Sequence, residues 1–137
     1  GILVTRVIRT KQGQAKNFMI VDAAMTELVR PTLYGAHHDI GLVRQSEEKL
    51  HAWDVVGPVC ESGDFLGLAR ELPELEPGAL LAVFSAGAYG AVLGSSYNTR
   101  PAAPEVLVEG ARHDVVRRRP SYADMLAGEK VPDWLGS

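Results

Sequence analysis

Apolar and β-branched residues alternate with polar ones through residues 2–10 and return in residues 17–21, with the polar run Lys11-Gln12-Gly13-Gln14-Ala15-Lys16 between them. That pattern predicts an opening hairpin of two strands joined by a glycine-containing loop. Residues 23–28 fit one short helical turn. Pro31 then predicts a break that leaves Arg30 at a bend, because the residue before a proline is pushed away from helical geometry. Residues 36–50 carry His37, His38, Asp39, Glu47, Glu48 and Lys49 around one apolar anchor, Leu42-Val43, the pattern of a strand end followed by a surface loop. Residues 52–59 are apolar enough for a buried strand. Residues 65–75 read as a short helix or an irregular stretch, closed by Pro73 and the turn signal Glu76-Pro77-Gly78, and 79–84 as another strand. That strand runs into Ser85-Ala86-Gly87-Ala88-Tyr89-Gly90, where Gly87 and Gly90 permit close backbone approaches. Strand character resumes at 91–93 and 105–108, and 112–119 can pair with the latter around Glu109-Gly110. Ser121 is placed to cap a last helix over 121–126, with Asp124 three positions on, and Trp134 to dock the tail. Six or more short strands with little helical periodicity bury their apolar faces by closing into a barrel or stacking as a sandwich, and periodicity does not choose between the two.

Composition narrows the class. The 137 residues are 46% hydrophobic, enough for one globular domain with a core, so 1–137 reads as a single domain in which 120–137 form a short helix and tail. A net charge of −3 gives no electrostatic reason to bind nucleic acid, and Arg117-Arg118-Arg119 is short enough to be a solvated strand end. One cysteine allows no internal disulfide, and no apolar run approaches the roughly 20 residues that cross a bilayer, so a reducing cytoplasm is the expected setting. The start, Gly1-Ile2-Leu3-Val4-Thr5, is already strand-like and reads as a cut inside a longer protein. Adjacent His37 and His38 lack a second ligand pair at a familiar spacing, and neighbours on a strand face opposite ways. No metal is assigned, and these histidines are left without a role.

The one cysteine sits in Gly57-Pro58-Val59-Cys60-Glu61-Ser62-Gly63-Asp64, a glycine-flanked turn between apolar runs that sets a thiol beside a carboxylate. A lone cysteine is commonly a small buried hydrophobe. Arg30-Pro31-Thr32-Leu33-Tyr34 upstream and Ser85-Ala86-Gly87-Ala88-Tyr89-Gly90 downstream change that weighting. The three segments in this order resemble the C-terminal domain of the diaminopimelate decarboxylase family, pyridoxal-phosphate enzymes of lysine biosynthesis in the alanine-racemase-like fold group, and the resemblance spans essentially the whole chain.

The resemblance implies a mainly β fold with short helices, a Greek-key-type β-barrel that follows a cofactor-binding (β/α)₈ barrel absent from this chain. It implies Cys60 as the proton donor to the α-carbon of meso-diaminopimelate. It implies Arg30, Tyr34 and Glu61 as readers of the distal amino-acid head group, and Tyr89 as a contact to both substrate and pyridoxal 5′-phosphate. The residue types suit those tasks. A thiol, with an ordinary pKa of about 8.5, can give up and recover a proton near neutral pH, a guanidinium forks onto a carboxylate, and a carboxylate accepts an ammonium. The resemblance further implies a homodimer with a shared active site, in which Cys60 and Glu61 reach the cofactor of the other subunit, and no membrane or nucleic-acid partner. Lys11, Lys16, Lys49 and Lys130 fall in polar loop or tail surroundings, so the chain without its barrel is expected to be inactive. Two alternatives stay open: a non-catalytic dimerisation or regulatory module of the same fold, and a decarboxylase of ornithine, arginine or carboxynorspermidine.

Overall fold

The computed structural model describes residues 1–135, which form two compact units, Gly1–Asn98 and a second from Thr99 onward. The first is built on six strands: β1 (Leu3–Gln12), β2 (Asn17–Val21), β3 (Ile40–Leu42), β4 (Leu50–Val56), β5 (Phe65–Pro73) and β6 (Leu80–Val83). They hydrogen-bond in the order β3-β6-β1-β2-β4-β5. All neighbours are antiparallel except β2 and β4, which pair in parallel. The sheet curls until its two edges approach: a Cβ placed on Gly67 of β5 would lie 3.0 Å from Ile40 Cδ1 of β3. The result is the nearly closed, barrel-like sheet expected of the fold class.

Alternation explains which faces turn inward. In β1, Thr5 and Val7 are buried while Val4, Arg6 and Ile8 are exposed, until the register shifts between Val7 and Arg9. The interior is filled by Val7, Met19, Val21, Leu28, Trp53, Val55, Leu66, Leu81 and Val83. Trp53 is fully buried and donates its indole N–H to the Leu72 carbonyl at 3.0 Å, so the largest core side chain leaves no polar atom unpaired.

The opening hairpin forms with a tighter loop than its polar run implies: β1 extends through Gln12, which pairs with Asn17, and the turn closes from Gly13 N to the Lys16 carbonyl at 3.0 Å. Three local expectations are corrected. Residues 65–73 are a strand, β5, not a helix or irregular stretch. Its period-2 pattern is hidden by register shifts against β4 and by Ala69 at φ 51°, whose amide donates to Asp54 Oδ1 at 2.8 Å. Arg30 does not sit at a bend but opens α1 (Arg30–Tyr34), with Pro31 in the first turn, where a missing N–H costs nothing. Residues 91–93 are not strand: α2 (Ala88–Val92) covers them up to Val92.

In the second unit β7 (Glu105–Glu109) pairs antiparallel with β8 (Arg112–Arg117) around Gly110, whose φ of 58° suits the turn. The capped helix is α3 (Tyr122–Leu126). Ser121 Oγ accepts from Asp124 N at 3.1 Å and the Asp124 carboxylate accepts from Ser121 N at 2.7 Å, a complete capping box. Trp134 does not dock the tail; it is 79% exposed.

Arg118 also grips Asp124 through both guanidinium ends, at 2.6 and 2.7 Å. That bond, with the Ser121 contacts, holds the Asp124 carboxyl well below the ordinary carboxylate range. A depressed folded-state pKa contributes stability that is present above the unfolded value, about 3.9, and is lost as pH falls through the folded value. The expected result is an Asp124 carboxyl carbon shift that stays flat from pH 7 to about 3, followed in the same NMR titration by fraying of α3 at lower pH. A midpoint near 3.9 would show that the Arg118 pair does not hold in solution.

Candidate functional site

The loop between β4 and β5 carries Cys60 and Glu61, and its backbone closes tightly on itself. Gly57 N donates to the Asp64 carbonyl at 3.0 Å, Glu61 N to the Val59 carbonyl at 2.8 Å, and Asp64 N to the Glu61 carbonyl at 3.0 Å. This folding turns the Cys60 side chain outward; the thiol is free and exposed, not packed in the core. Glu61 is exposed beside it, with Oε1 accepting from Gly63 N and Ser62 Oγ, each at 3.2 Å.

A strap over residues 23–34 passes next to this loop. It begins with a single helical turn, Leu28 N donating to the Ala24 carbonyl at 3.2 Å, as the composition of 23–28 predicts. It continues into α1, pinned by buried Pro31 and ended by Gly35 in the left-handed conformation at φ 63°. Arg30 is half-buried at the start of α1 and Tyr34 is exposed at its end.

Two contacts join strap and loop. Met25 N donates to Asp64 Oδ1 at 2.6 Å, and the Thr32 hydroxyl donates to the Gly63 carbonyl. The approach is close enough that a Cβ at Gly63 would lie 2.7 Å from Thr32 Cγ2, so the glycine is required there.

The third segment leaves β6 through Phe84 and Ser85 and forms α2, which carries exposed Tyr89. Gly90 of α2 is buried, and a Cβ on it would lie 3.0 Å from Leu28 Cδ1. Ser95 N donates to the Thr26 carbonyl at 2.9 Å. The strap is thus held by the cysteine loop through Met25 and Thr32 and by the tyrosine segment through Thr26 and Leu28. All five residues singled out from the sequence lie on this strap or on the two segments tied to it.

Their head groups are uncommitted. Among the described residues, the Arg30 guanidinium, the Tyr34 and Tyr89 hydroxyls and the Cys60 thiol have no hydrogen-bond or ion-pair partner. A guanidinium, two phenols and a thiol without partners, beside the Glu61 carboxylate that is bonded only within its own loop, fit a polar ligand completed from outside this unit. Two of the chain's lysines lack that character: Lys16 pairs with buried Asp54 at 2.8 Å and Lys130 with Asp133 at 3.1 Å.

The adjacent histidines lie in the irregular segment between α1 and β3 and separate there. His37 is exposed, 3.0 Å from Asp39 and in contact with Arg70; His38 is buried, with Nδ1 2.9 Å from the Phe84 carbonyl, so that nitrogen carries the proton. His38 therefore supports the start of the segment that leads to Tyr89. Sequence reading did not single out Asp64, Thr32 or Leu28 as residues that assemble the site. Asp64 left a trace as the acidic end of the glycine-flanked motif, and Thr32 as the middle of the segment from Arg30 to Tyr34.

Comparison with known proteins places the chain in a family. The profile of the pyridoxal-dependent decarboxylase C-terminal sheet domain matches residues 1–87. The diaminopimelate decarboxylase of Archaeoglobus fulgidus is 47% identical over 98% of this chain and 32% of its own length. That of Pseudomonas fluorescens is 51% identical over 96% of this chain and 31% of its own. The crystal structure of diaminopimelate decarboxylase from Helicobacter pylori complexed with L-lysine superposes with a TM-score of 0.85 at 42% identity, covering 92% of this chain and 31% of that one. The chain spans about a third of the length of the relatives it matches.

Proposed function

The chain belongs to the pyridoxal-dependent decarboxylases, as their C-terminal sheet domain, and on that footing we propose that residues 1–137 are the C-terminal β domain of an enzyme converting meso-2,6-diaminopimelate to L-lysine and carbon dioxide. The observation that carries this reading is the gathering of Arg30, Tyr34, Cys60, Glu61 and Tyr89 on one strap and the two segments tied to it.

Pyridoxal 5′-phosphate, bound mainly by the family's other domain, supplies the electron sink for the charge that loss of a carboxylate leaves on the α-carbon. The residues of this chain do the rest. Cys60 holds at Sγ the proton returned to that carbon. Arg30 forks onto the distal carboxylate, the Tyr34 hydroxyl adds a hydrogen bond, and Glu61 accepts the distal ammonium. Tyr89 would supply the aromatic contact to both ligand and cofactor. In this reading the active site is shared across a homodimer in the cytoplasm, and the domain alone is inactive. No helix among the described residues is long and apolar enough to cross a membrane.

The test is a substrate comparison with the intact polypeptide that carries this domain, loaded with pyridoxal phosphate. Lysine and carbon dioxide should form from meso-diaminopimelate, with kcat/KM at least about 100-fold above that for L-ornithine or L-arginine, because a shorter or singly headed ligand leaves the distal polar groups unpaired. Preference for ornithine or arginine would reassign the substrate. Failure to turn over any of the three would favour a dimerisation or regulatory module.

A further inference from the structure

We propose that Asp64 and Thr32 are positioning residues that lock the proton-donor loop to the guanidinium-bearing strap, fixing the separation between Cys60 and Arg30; the inference rests on the decarboxylase reading above. Asp64 is 4% exposed, and its two carboxylate oxygens serve two different segments. Oδ1 accepts from Met25 N at 2.6 Å and Oδ2 from Val59 N at 2.7 Å. Both bonds are as short as charge-assisted ones become. One amide belongs to the strap that carries Arg30, the other to the residue preceding Cys60.

Thr32 ties the far end of the strap to the far end of the loop, through Gly63. Arg30 is thereby bracketed by ties at Met25 and Thr32, and the Cys60-Glu61 pair by ties at Val59 and Gly63. The joint has no slack: a Cβ at Gly57 would lie 2.4 Å from Asp64 Oδ2.

Burying a carboxylate is a poor way to stabilise a barrel, since apolar packing of the same volume does so at lower desolvation cost. It is an effective way to fix two loops, because one planar group accepts two N–H bonds in set directions. The ligand proposed here is read at one end by Arg30 and receives a proton at the other from Cys60. A misplacement of about 1 Å between those groups costs on the order of 10²-fold in rate.

The test uses the intact holoenzyme with three variants. Asp64→Asn keeps the volume but turns an NH₂ toward one of the two amides. Thr32→Val keeps the shape and removes the hydroxyl. Asp54→Asn is the control, since Asp54 is also buried and accepts from Lys16 and from Ala69 N, neither of which belongs to the site. Two quantities are read: kcat with meso-diaminopimelate, and the dissociation constant of L-lysine, which retains the distal head group and needs no turnover.

Asp64→Asn is expected to lower kcat and weaken lysine binding by about 10-fold or more each, and Thr32→Val by about 3-fold each. Asp54→Asn should lower Tm and leave both unchanged. Wild-type values in a folded Asp64→Asn or in Thr32→Val would overturn the inference, as would losses in Asp54→Asn equal to those in Asp64→Asn. If Asp64→Asn does not fold, Thr32→Val decides alone. Absence of lysine formation by the unmutated enzyme would instead sink the decarboxylase reading, and is read first.

Discussion

Replacing Cys60 by alanine in the intact decarboxylase will lower kcat by about 10²- to 10⁴-fold, the range that a positioned general acid contributes, while Tm and cofactor absorbance stay at wild-type values. The separation of these effects follows from the geometry. The thiol is exposed and free, so its removal opens no cavity and strands no buried partner. Cys60→Ser sharpens the test. The hydroxyl occupies the same place but is a far weaker acid than a thiol, so it should recover little of the loss if the proton is what matters. It should recover most of it if Cys60 only fills space. A shared site adds a second readout: mixing Cys60→Ala subunits with subunits that lack the barrel's cofactor-binding lysine should restore part of the activity through hybrid dimers, which neither variant shows alone. Wild-type turnover in Cys60→Ala would remove the assigned role outright.

The elements that could be read from the sequence are those whose signals are local. The β1–β2 and β7–β8 hairpins are closed by turns within a few residues, and α3 is specified by Ser121 and Asp124 within one turn. β5 was not legible because its conformation is set from elsewhere. Leu66, Ala69, Arg70, Glu71 and Leu72 are good helix formers, and they become strand through pairing with β4 and through the Asp54 bond that holds Ala69 at positive φ. Arg30 was misplaced for a related reason: the constraint that proline places on its predecessor is real, yet the first turn of a helix also welcomes proline, and tertiary anchoring of Pro31 decides between them. The candidate site divides in the same way. Cys60 and Glu61 stand out in a glycine-flanked turn, whereas the contacts that assemble the site join Met25 to Asp64 and Leu28 to Gly90, pairs that only the folded chain brings together.

Arg30 should govern which ligand is accepted, because in the proposed reading its guanidinium answers the carboxylate at the end remote from the chemistry. In Arg30→Ala, kcat/KM for meso-diaminopimelate is expected to fall by about 30- to 1,000-fold, the cost of leaving one member of a desolvated charge pair alone. Arg30→Lys should lose about 10-fold, since an ammonium keeps the charge but not the planar fork. Selectivity provides the stronger test. D-lysine offered as a substrate presents the reacting α-carbon in the same configuration but lacks the distal carboxylate, so the intact site rejects it by leaving the guanidinium desolvated and unpaired. Deleting the guanidinium removes that penalty along with the attraction, and the preference for meso-diaminopimelate over D-lysine should collapse toward parity in Arg30→Ala. A lower rate with the preference intact would show that Arg30 only supports α1 and that another cation reads the substrate. Because the guanidinium of half-buried Arg30 has no partner among the described residues to lose, unchanged Tm in the same variant would separate recognition from folding.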